Sequence, residues 1–422
     1  MKGSEVKRST TAALAALLLL LPTAASASAR STWVGTWATS PTTVPASDTT
    51  SFEDQTLRQV VHLSVGGDAV RVRLSNEFGT RPLVVGEARV ARRAGTGAAI
   101  QPGSDRRLTF GGRTSATLPP GTPLLSDPVA LRVAADSDLV ISIHLPQRTP
   151  ATTVHAFPYQ DGYVAAGNVT GRADITPTAV LGKWHFLTGV SVSGRGRPGS
   201  TVVAFGDSIT DGAETTRGAN RRWPDVLARR FAAEPRLRHL GVVNAGISGN
   251  RLLHDPNPPA GHPAEAYAAY FGQSALRRFD RDVLAQPGVG HVIVLLGVND
   301  LGHPGTSAPL TEKVTAQDII GAHRQLIARA HAQGLRIHGG TITPFRGDTF
   351  GFYSPENEAA RQAVNHWIRT GGEYDAVIDF DRAIRDPAQP DRLLPAYDSG
   401  DHLHPNDAGM AAMAAAVKVR SF

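Results

Sequence analysis

Alternating apolar and polar residues dominate the first half of the chain. Runs such as AVRVRLS (69–75) and DLVISIHL (138–145) place an apolar side chain at every second position, and turn-rich segments such as PPGTP separate the runs. A period of two indicates strands with one buried face, and regular turns between such strands favour antiparallel sheets. From Trp33 to about Ser193 the pattern therefore predicts a β-rich, sandwich-like domain.

The pattern changes after residue 200. Apolar runs of strand length now alternate with stretches of helical period, and the five candidate strands lie in TVVAFGD, GVVNAG, HVIVLLGVND, LRIHGGTITP and YDAVIDFD. Strands that alternate with helices predict a parallel sheet covered on both faces. We therefore predict an α/β fold in which a three-layer α/β/α domain with a five-stranded parallel sheet follows the β-sandwich-like domain. Ligands of such sheets bind at the carboxyl ends of the strands.

The chain length and the N-terminal sequence predict how the chain divides into a signal peptide and domains. A chain of 422 residues exceeds one typical domain, and SGRGRPGS (193–200) has the composition of a linker without apolar periodicity. At the N-terminus, Lys2, Lys7 and Arg8 precede an apolar run (12–21) and the small-residue stretch AASASA. This order predicts a signal peptide. We expect a signal peptide at 1–29, a β-rich domain at 30–196, an α/β domain at 197–422, and secretion of the mature protein.

Composition and charge narrow the classes of partner. The chain has no cysteine, which excludes disulfides and thiolate metal sites. Loss of the three basic residues and one acidic residue within 1–29 lowers the net charge from +6 to +4, and arginine is spread along the whole chain. We therefore expect no nucleic-acid partner. No segment after the N-terminal run is long and apolar enough to predict a membrane span, and the oligomeric state stays open.

Small and polar residues follow the first three strands of the predicted parallel sheet. GDS, NAGISGN and GVND stand at these strand ends, and DSGDHLHPND precedes the last predicted helix. A nucleophilic serine needs a base, and the base needs a group that orients it; Ser208, His404 and Asp401 supply these parts. Attack on a carbonyl creates an oxyanion, for which the N–H groups of Ser208 and Gly249 and the side-chain amide of Asn299 are candidate donors.

Other roles exist for the same residues. A serine after a strand is commonly a helix N-cap, and a lone glycine or asparagine is commonly a turn residue. Asp401, His402 and His404 could together bind a metal, but no further cluster of ligands stands beside them. No phosphate-binding glycine motif follows a strand. We therefore favour the triad and expect neither a metal nor a cofactor.

Tryptophans and paired arginines also have competing interpretations. Trp33 and Trp37 in TWVGTW could form a sugar-stacking platform, but packing in the core is the commoner role. Trp223 in RRWPDVL is interpreted as a helix-packing residue. Arg221 and Arg222 beside it predict a solvated face.

The four polar blocks, in this order, resemble the SGNH or GDSL hydrolase family. The phrases NRRWPDVLARRF, VVNAGISGNRLL, VIVLLGVNDLG and YDSGDHLHPNDAG are most similar to a bacterial subgroup of secreted arylesterases and acylhydrolases linked to polysaccharide breakdown. The resemblance covers about 201–417 and implies an SGNH-type fold. It assigns Ser208 as nucleophile, Asp401 and His404 as the rest of the triad, and Ser208, Gly249 and Asn299 as the oxyanion hole. The serine does not sit in G-x-S-x-G, so the nucleophile elbow of α/β-hydrolases is not indicated.

The sequence therefore predicts a serine esterase that cleaves carboxylic esters through an acyl-enzyme and needs no cofactor. The resemblance suggests short acyl groups such as acetyl, carried by a polysaccharide or a similar alcohol. One alternative is a lipase or acylhydrolase of longer acyl chains. A second alternative, from another class, is a carbohydrate-binding protein without essential catalysis. A pure binder would not need a nucleophile, a base and an oxyanion hole together.

Overall fold

The computed structural model of the protein describes residues 1–3, 5, 33–194 and 199–422. The predicted signal peptide lies almost wholly outside these residues, and the middle of the predicted linker, 195–198, lies outside them too. The signal peptide and the domain boundary at 196/197 therefore stay predictions. The described residues from 33 onward belong to one compact unit.

The first part of this unit, up to Ser193, is built from β-strands. Strand β4 buries its apolar side chains at alternate positions, whereas β1 and β17 are buried along their whole length. The strands are β1 (Val34–Ala38), β2 (Ser51–Phe52), β3 (Gln55–Leu63), β4 (Gly67–Ser75), β5 (Leu83–Val85), β6 (Glu87–Arg92), β7 (Arg106–Arg107), β8 (Ala116–Leu118), β9 (Pro123–Leu125), β10 (Val129–Val133), β11 (Ser137–Leu145), β12 (Thr149–Pro150), β13 (Val154–His155), β14 (Gly162–Ala166), β15 (Ala179–Leu181), β16 (Trp184–His185) and β17 (Leu187–Ser193).

Two antiparallel sheets form the main body of this β-rich region. One has the order β1-β17-β4-β10, with β9 also paired to β4, and the other has the order β15-β14-β3-β11-β6-β7. Apolar side chains of both sheets, such as Val72 in β4 and Ile141 in β11, belong to one continuous core. The alternating runs at 69–75 and 138–145 lie in these two strands, and the antiparallel architecture that they predict is confirmed.

Strands and helices alternate in the second part. The elements are β18 (Ser200–Gly206), α1 (Ser208–Asp211), α2 (Trp223–Ala233), β19 (Leu240–Gly246), α3 (Ala275–Phe279), β20 (Val289–Leu295), α4 (Val298–Gly302), α5 (Ala316–Ala332), β21 (Arg336–Gly340), α6 (Pro355–Thr370), β22 (Ala376–Ile378), α7 (Phe380–Ile384) and α8 (Asp407–Ala416). A π-helical turn, Asp280–Leu284, follows α3, and short 3₁₀ turns span Pro263–Ala266, Ala268–Phe271, Leu310–Glu312, Pro395–Tyr397 and Val419–Ser421. In the described residues no helix combines the length and the apolar character that a membrane crossing requires.

The five strands of this part form one parallel sheet with the order β19-β18-β20-β21-β22. Alternate side chains of β18 enter two different cores: Val203 and Phe205 pack with α3, α5 and α6, whereas Val202 and Ala204 pack with α2, α7 and α8. Both faces of the sheet are therefore covered, and the predicted three-layer α/β/α fold is confirmed. Asn406 caps α8 by accepting hydrogen bonds from two backbone N–H groups.

Strand β19 is an edge of the parallel sheet, and the β-rich region covers it. The Ser64 hydroxyl accepts a hydrogen bond from the N–H of Val242 at 2.9 Å, which satisfies a donor on this edge. Gly241 lets the chains approach closely, because a Cβ there would lie 2.0 Å from the carbonyl oxygen of Gly35. The N–H of Gly35 in turn donates to the Thr201 hydroxyl at 2.9 Å. These contacts join the two parts into one unit.

Tryptophans near the junction serve in packing. Trp37 is buried edge-on against Trp184, with ring centroids 4.8 Å apart, and Trp223 is fully buried. The guanidinium of Arg71 lies 4.2 Å from the ring of Trp33. The core-packing interpretation of Trp37 and Trp223 therefore holds.

The paired arginines differ from their prediction. Arg221 is exposed and pairs with Asp407 at 3.0 Å, as expected of a solvated face. Arg222 is buried, and its guanidinium donates to the carbonyl oxygen of Pro158 in the β-rich region. The prediction is wrong for Arg222, because the β-rich region covers this side of α2.

Candidate active site

Three loops begin side by side at the carboxyl edge of the parallel sheet. Gly206 at the end of β18 is in register with Gly246 of β19 on one side and with Leu295 of β20 on the other. The loops that follow these strands carry the three blocks that the sequence singles out. The fold therefore brings GDS, ISGN and GVND to one edge.

Ser208 is the first residue of α1. The N-cap role falls to its neighbour Asp207, whose carboxylate accepts a hydrogen bond from the N–H of Ile209 at 3.0 Å. The turn is tight, because a Cβ on Gly206 would lie 2.1 Å from the Thr210 hydroxyl oxygen. The Ser208 side chain is thus left free of capping.

A chain of hydrogen bonds links Ser208 to His404 and Asp401. The Oγ of Ser208 lies 2.8 Å from Nε2 of His404, and Nδ1 of the same ring lies 2.6 Å from Oδ2 of Asp401. A carboxylate only accepts, so Nδ1 carries the hydrogen and Nε2 is left to accept the serine proton. The three residues that the sequence predicts as a triad therefore meet in the geometry that activates a serine.

The Asp401 carboxylate is held in its charged form. Burial alone would raise its pKa, but the His404 side chain and the backbone N–H groups of Leu403 and His404 bind the carboxylate, so its pKa lies well below the ordinary value. The carboxylate therefore remains charged at neutral pH and fixes the tautomer of the imidazole.

His402 pairs with a different carboxylate. Its Nδ1 lies 2.5 Å from Oδ2 of Asp398, and its backbone is in the left-handed region with φ of 62°. Within the described residues no group of three or more His, Cys, Asp or Glu side chains has the arrangement of a metal site.

Gly249 stands in the loop after β19 with φ of 76°, a conformation that favours glycine. A Cβ at this position would lie 2.1 Å from the ring of Phe271. Among the residues that the structure describes, neither the N–H of Gly249 nor that of Ser208 donates a hydrogen bond. Both N–H groups are therefore available to a bound acceptor.

Asn299 lies in α4, directly after β20. One hydrogen of its side-chain amide is used, since Nδ2 donates to the carbonyl oxygen of Asn250 at 3.0 Å. An amide nitrogen carries two hydrogens, so a second donor remains. The contact with Asn250 also ties Asn299 to the residue that follows Gly249.

We expect Asn299→Ala to lower kcat about 10²- to 10³-fold, because it removes one oxyanion donor. The KM for a small ester should change little, since this donor acts mainly on the charge that develops in the transition state. Steady-state kinetics of the two proteins measure both constants. A fall in kcat/KM that comes entirely from KM would contradict an oxyanion role for Asn299.

Two residues that the sequence analysis missed hold these loops in place. Fully buried Arg278 donates to the carbonyl oxygens of Gly206 and Ala245, each at 2.8 Å, and to Oδ1 of Asn250 at 2.9 Å. In RRFDRDVL it looks like an ordinary surface arginine of a helix, so no local signal marks it. Arg278 therefore connects the ends of β18 and β19 to the loop of Gly249.

Asp300 provides the second brace. Its carboxylate accepts the N–H groups of Leu252 at 2.7 Å and Leu253 at 2.9 Å. Burial raises the pKa of Asp300 to about 6, an effect that the two backbone donors oppose. Its place directly after Asn299 in GVND is the one signal that could have indicated this role.

Asp207 is held at a cost to stability. Burial raises its pKa to about 7, whereas an unfolded aspartate has a value near 4. A carboxyl whose folded-state pKa is raised stabilises the fold fully below the unfolded pKa, and this stability is lost as the pH rises through the folded pKa. The charged carboxylate of Asp207, the N-cap of α1, therefore lowers the free energy of unfolding most at alkaline pH.

We expect Asp207→Asn to be more stable than wild type at pH 8 by on the order of 2 to 4 kcal/mol, because the amide keeps the N-cap oxygen without a buried charge. The difference should shrink as the pH falls toward 4. Denaturant unfolding at several pH values measures it. A stability difference that is the same at pH 5 and pH 8 would contradict this assignment.

An arc of aromatic rings runs from the loop of Gly249 to His404. Successive ring centroids lie 5.2 to 5.8 Å apart along Phe271–His303, His303–Phe352, Phe352–Phe350 and Phe350–His404. Burial lowers the pKa of His303 to about 3, so its ring is uncharged at neutral pH. Phe350 is 46% exposed. These aromatic side chains therefore form an uncharged wall, and the exposed ring of Phe350 lies beside His404.

The second part of the chain is similar to known proteins. Residues 204–412 match the model of the GDSL-like Lipase/Acylhydrolase family. No curated protein sequence matches the chain.

Among solved structures, the chain is similar to Axe2, an acetylxylan esterase from Geobacillus stearothermophilus, with 22% identity, 52% of this chain and 93% of that chain covered, and a TM-score of 0.37. It is also similar to Est24, a carbohydrate acetylesterase from Sinorhizobium meliloti (14% identity, 51% and 94% covered, TM-score 0.37). A GDSL-like lipase from Bacteroides thetaiotaomicron is a third (18% identity, 53% and 87% covered, TM-score 0.36). Similarity at this level says nothing about the substrate of this chain.

Proposed function

Because residues 204–412 form a domain of the GDSL-like lipase/acylhydrolase family, we propose that this chain is a secreted serine esterase that cleaves carboxylic esters through an acyl-enzyme. The observation that carries the proposal is the hydrogen-bonded chain from Ser208 through His404 to Asp401. The predicted signal peptide is the support for secretion.

The first half of the reaction forms the acyl-enzyme. Nε2 of His404 takes the Ser208 proton while Oγ attacks the ester carbonyl, and Asp401 stabilises the imidazolium that results. The N–H groups of Ser208 and Gly249, together with the second amide hydrogen of Asn299, stabilise the oxyanion. His404 then gives its proton to the leaving alcohol, and the C–O bond of the ester breaks.

The second half regenerates the enzyme. Water loses a proton to His404 and attacks the acyl carbonyl, and the same three donors stabilise the second oxyanion. When this intermediate collapses, His404 returns the proton to Oγ of Ser208 and the carboxylic acid leaves. None of these steps needs a metal or an organic cofactor.

We further propose that the acyl group is short, such as acetyl. At Gly249 and Gly302 a Cβ would lie 2.1 Å from ring carbons of Phe271 and Phe352, so these rings touch the backbone directly. A wall packed at this density favours a small acyl group over a long chain.

The alcohol part is proposed to be a sugar of an acetylated polysaccharide. Two exposed rings flank the site: Phe350 contacts His404, and Tyr267, 40% exposed, contacts Phe271 with ring centroids 5.6 Å apart. Flat aromatic faces of this kind suit a sugar ring on one side of the scissile ester.

Hydrolysis of matched aryl acetate and aryl octanoate esters tests this function, with Ser208→Ala as the inactive control. We expect acetate to be preferred by at least about tenfold in kcat/KM, which is about 1.4 kcal/mol. Release of acetate from acetylated polysaccharide follows as the second assay. A preference for octanoate would instead support the lipase alternative, and sugar binding without any hydrolysis would support the carbohydrate-binding alternative.

A further inference from the structure

A buried histidine of the β-rich region reaches the helix that carries Ser208. His155, in β13, places Nε2 at 2.9 Å from Oδ1 of Asp211, the last residue of α1. The two side chains are 3% and 5% exposed. Neither residue stands in the four polar blocks of the sequence, and the proposed reaction does not use them.

The hydrogen-bond partners of His155 define the character of this contact. Nδ1 lies 3.0 Å from the carbonyl oxygen of Ser40, which only accepts, so Nδ1 carries a hydrogen. Nε2 faces a carboxylate oxygen at 2.9 Å, so the two side chains share a hydrogen bond. Because both side chains are buried, the loss of this bond would leave a polar group without a partner, which is costly.

The second oxygen of Asp211 extends this link to the oxyanion loop. Oδ2 accepts both the N–H of Ser248, at 2.9 Å, and its hydroxyl, at 2.8 Å. Ser248 directly precedes Gly249. The loop also lies tightly on α1, because a Cβ on Gly246 would be 2.3 Å from the backbone nitrogen of Asp211. One carboxylate therefore fixes Ser248 relative to the helix of Ser208.

Both parts of the chain surround the His155–Asp211 pair. A small cavity of about 20 Å³ lies beside the pair and is lined by residues of both parts, among them Thr36, His62, Asp225 and Arg222. The ring of His155 also packs on Trp184, with centroids 5.6 Å apart. The orientation of Asp211 thus depends on the β-rich region.

We propose that His155 is a positioning residue of the active site: through Asp211 it holds Ser248, and thereby sets the N–H of Gly249 relative to Ser208. This inference rests on the proposed function, since it assigns the β-rich region a part in the oxyanion hole of that reaction. His155 itself does not touch the substrate.

The test compares His155→Phe with His155→Gln. Phenylalanine keeps a ring against Trp184 but cannot bind Asp211, whereas glutamine retains an amide donor. His185→Phe is the matched control, because His185 lies on the paired strand β16, is 2% exposed and has no contact with Asp211. Each full-length protein is examined by amide hydrogen exchange of 246–250 and by kcat and KM for an aryl acetate.

We expect His155→Phe to raise the exchange rate of 246–250 at least tenfold and to lower kcat about 10- to 100-fold, with KM within about twofold of wild type. His155→Gln should recover part of both losses, and His185→Phe should show neither. If His155→Phe does not fold, His155→Gln is compared with wild type instead. Faster exchange of 246–250 together with a lower kcat then supports the proposal. Unchanged exchange of 246–250 in a folded variant, or an equal effect of the control, would overturn the proposal.

Failure of the proposed esterase function and failure of the positioning role of His155 give different results. Hydrogen exchange does not depend on ester hydrolysis, so a wild-type protein without esterase activity would end the proposed function while the exchange data still report on the loop. Faster exchange with an unchanged kcat would show that His155 orders the loop without serving the reaction, which would also overturn the positioning role.

Discussion

Replacing Ser208 with alanine is expected to lower kcat for an aryl acetate roughly 10⁴- to 10⁶-fold. Without Oγ no acyl-enzyme can form, and the residual rate comes only from binding and the remaining oxyanion donors. Stability should change little, because the N-cap of α1 is Asp207 and, among the residues that the structure describes, the Ser208 hydroxyl forms a side-chain hydrogen bond only with His404. Stopped-time assays with high enzyme concentration, together with a thermal unfolding curve, measure both quantities.

Ser142→Ala is the matched control for this change. Ser142 is also buried, at 2% exposure, but lies in β11 of the β-rich region. We expect its kcat to stay within about twofold of wild type. A folded Ser208→Ala protein that keeps more than about 1% of the wild-type kcat would remove Ser208 from the role of nucleophile.

Asp401→Asn is expected to lower kcat roughly 10³- to 10⁴-fold at neutral pH. Asparagine can present its NH₂ group to Nδ1 of His404, and this favours the tautomer with the hydrogen on Nε2. That nitrogen then faces Ser208 as a donor and cannot take its proton. The fold should survive, because the amide oxygen can still accept the N–H groups of Leu403 and His404 that Oδ1 of Asp401 now binds.

A second carboxylate–imidazole pair in the same loop provides a control for Asp401→Asn. Asp398 pairs with Nδ1 of His402 at 2.5 Å in the same loop, so Asp398→Asn alters an equivalent carboxylate and imidazole pair that does not reach Ser208. We expect Asp398→Asn to keep kcat within about threefold. Equal losses in the two variants would mean that Asp401 acts only by shaping the loop.

The pattern of apolar residues was sufficient to predict the architecture, because the spacing of apolar residues within a strand or a helix depends only on the local sequence. The period of two located β4 and β11, and the alternation of strands with helices indicated the parallel sheet. The site followed from residues at strand ends, since parallel strands of one sheet bring their carboxyl ends to one edge. Ser208, Gly249 and Asn299 could therefore be proposed together before any distance was known, and Asp401 and His404 stand in the block before the last helix.

The supporting residues could not be predicted in this way. Arg222, Arg278 and His155 are buried polar side chains, and the partners cited here lie 28 to 64 residues away in sequence. Burial of such groups depends on which region packs against them, which is a tertiary property. The sequence consequently favoured two domains joined by a linker and did not identify the residues that form the contacts between them.

The packing of the β-rich region on the edge strand β19 has a consequence for synthesis on the ribosome. Strand β1 leaves the ribosome early, but its strand partner is β17, Leu187–Ser193, and the edge that it helps to cover belongs to β19, Leu240–Gly246. Contacts this distant in sequence form late, because a long loop must close first. Strand β1, the first strand in the described residues, therefore stays unpaired until Leu187–Ser193 has emerged, and its contact with β19 forms later still.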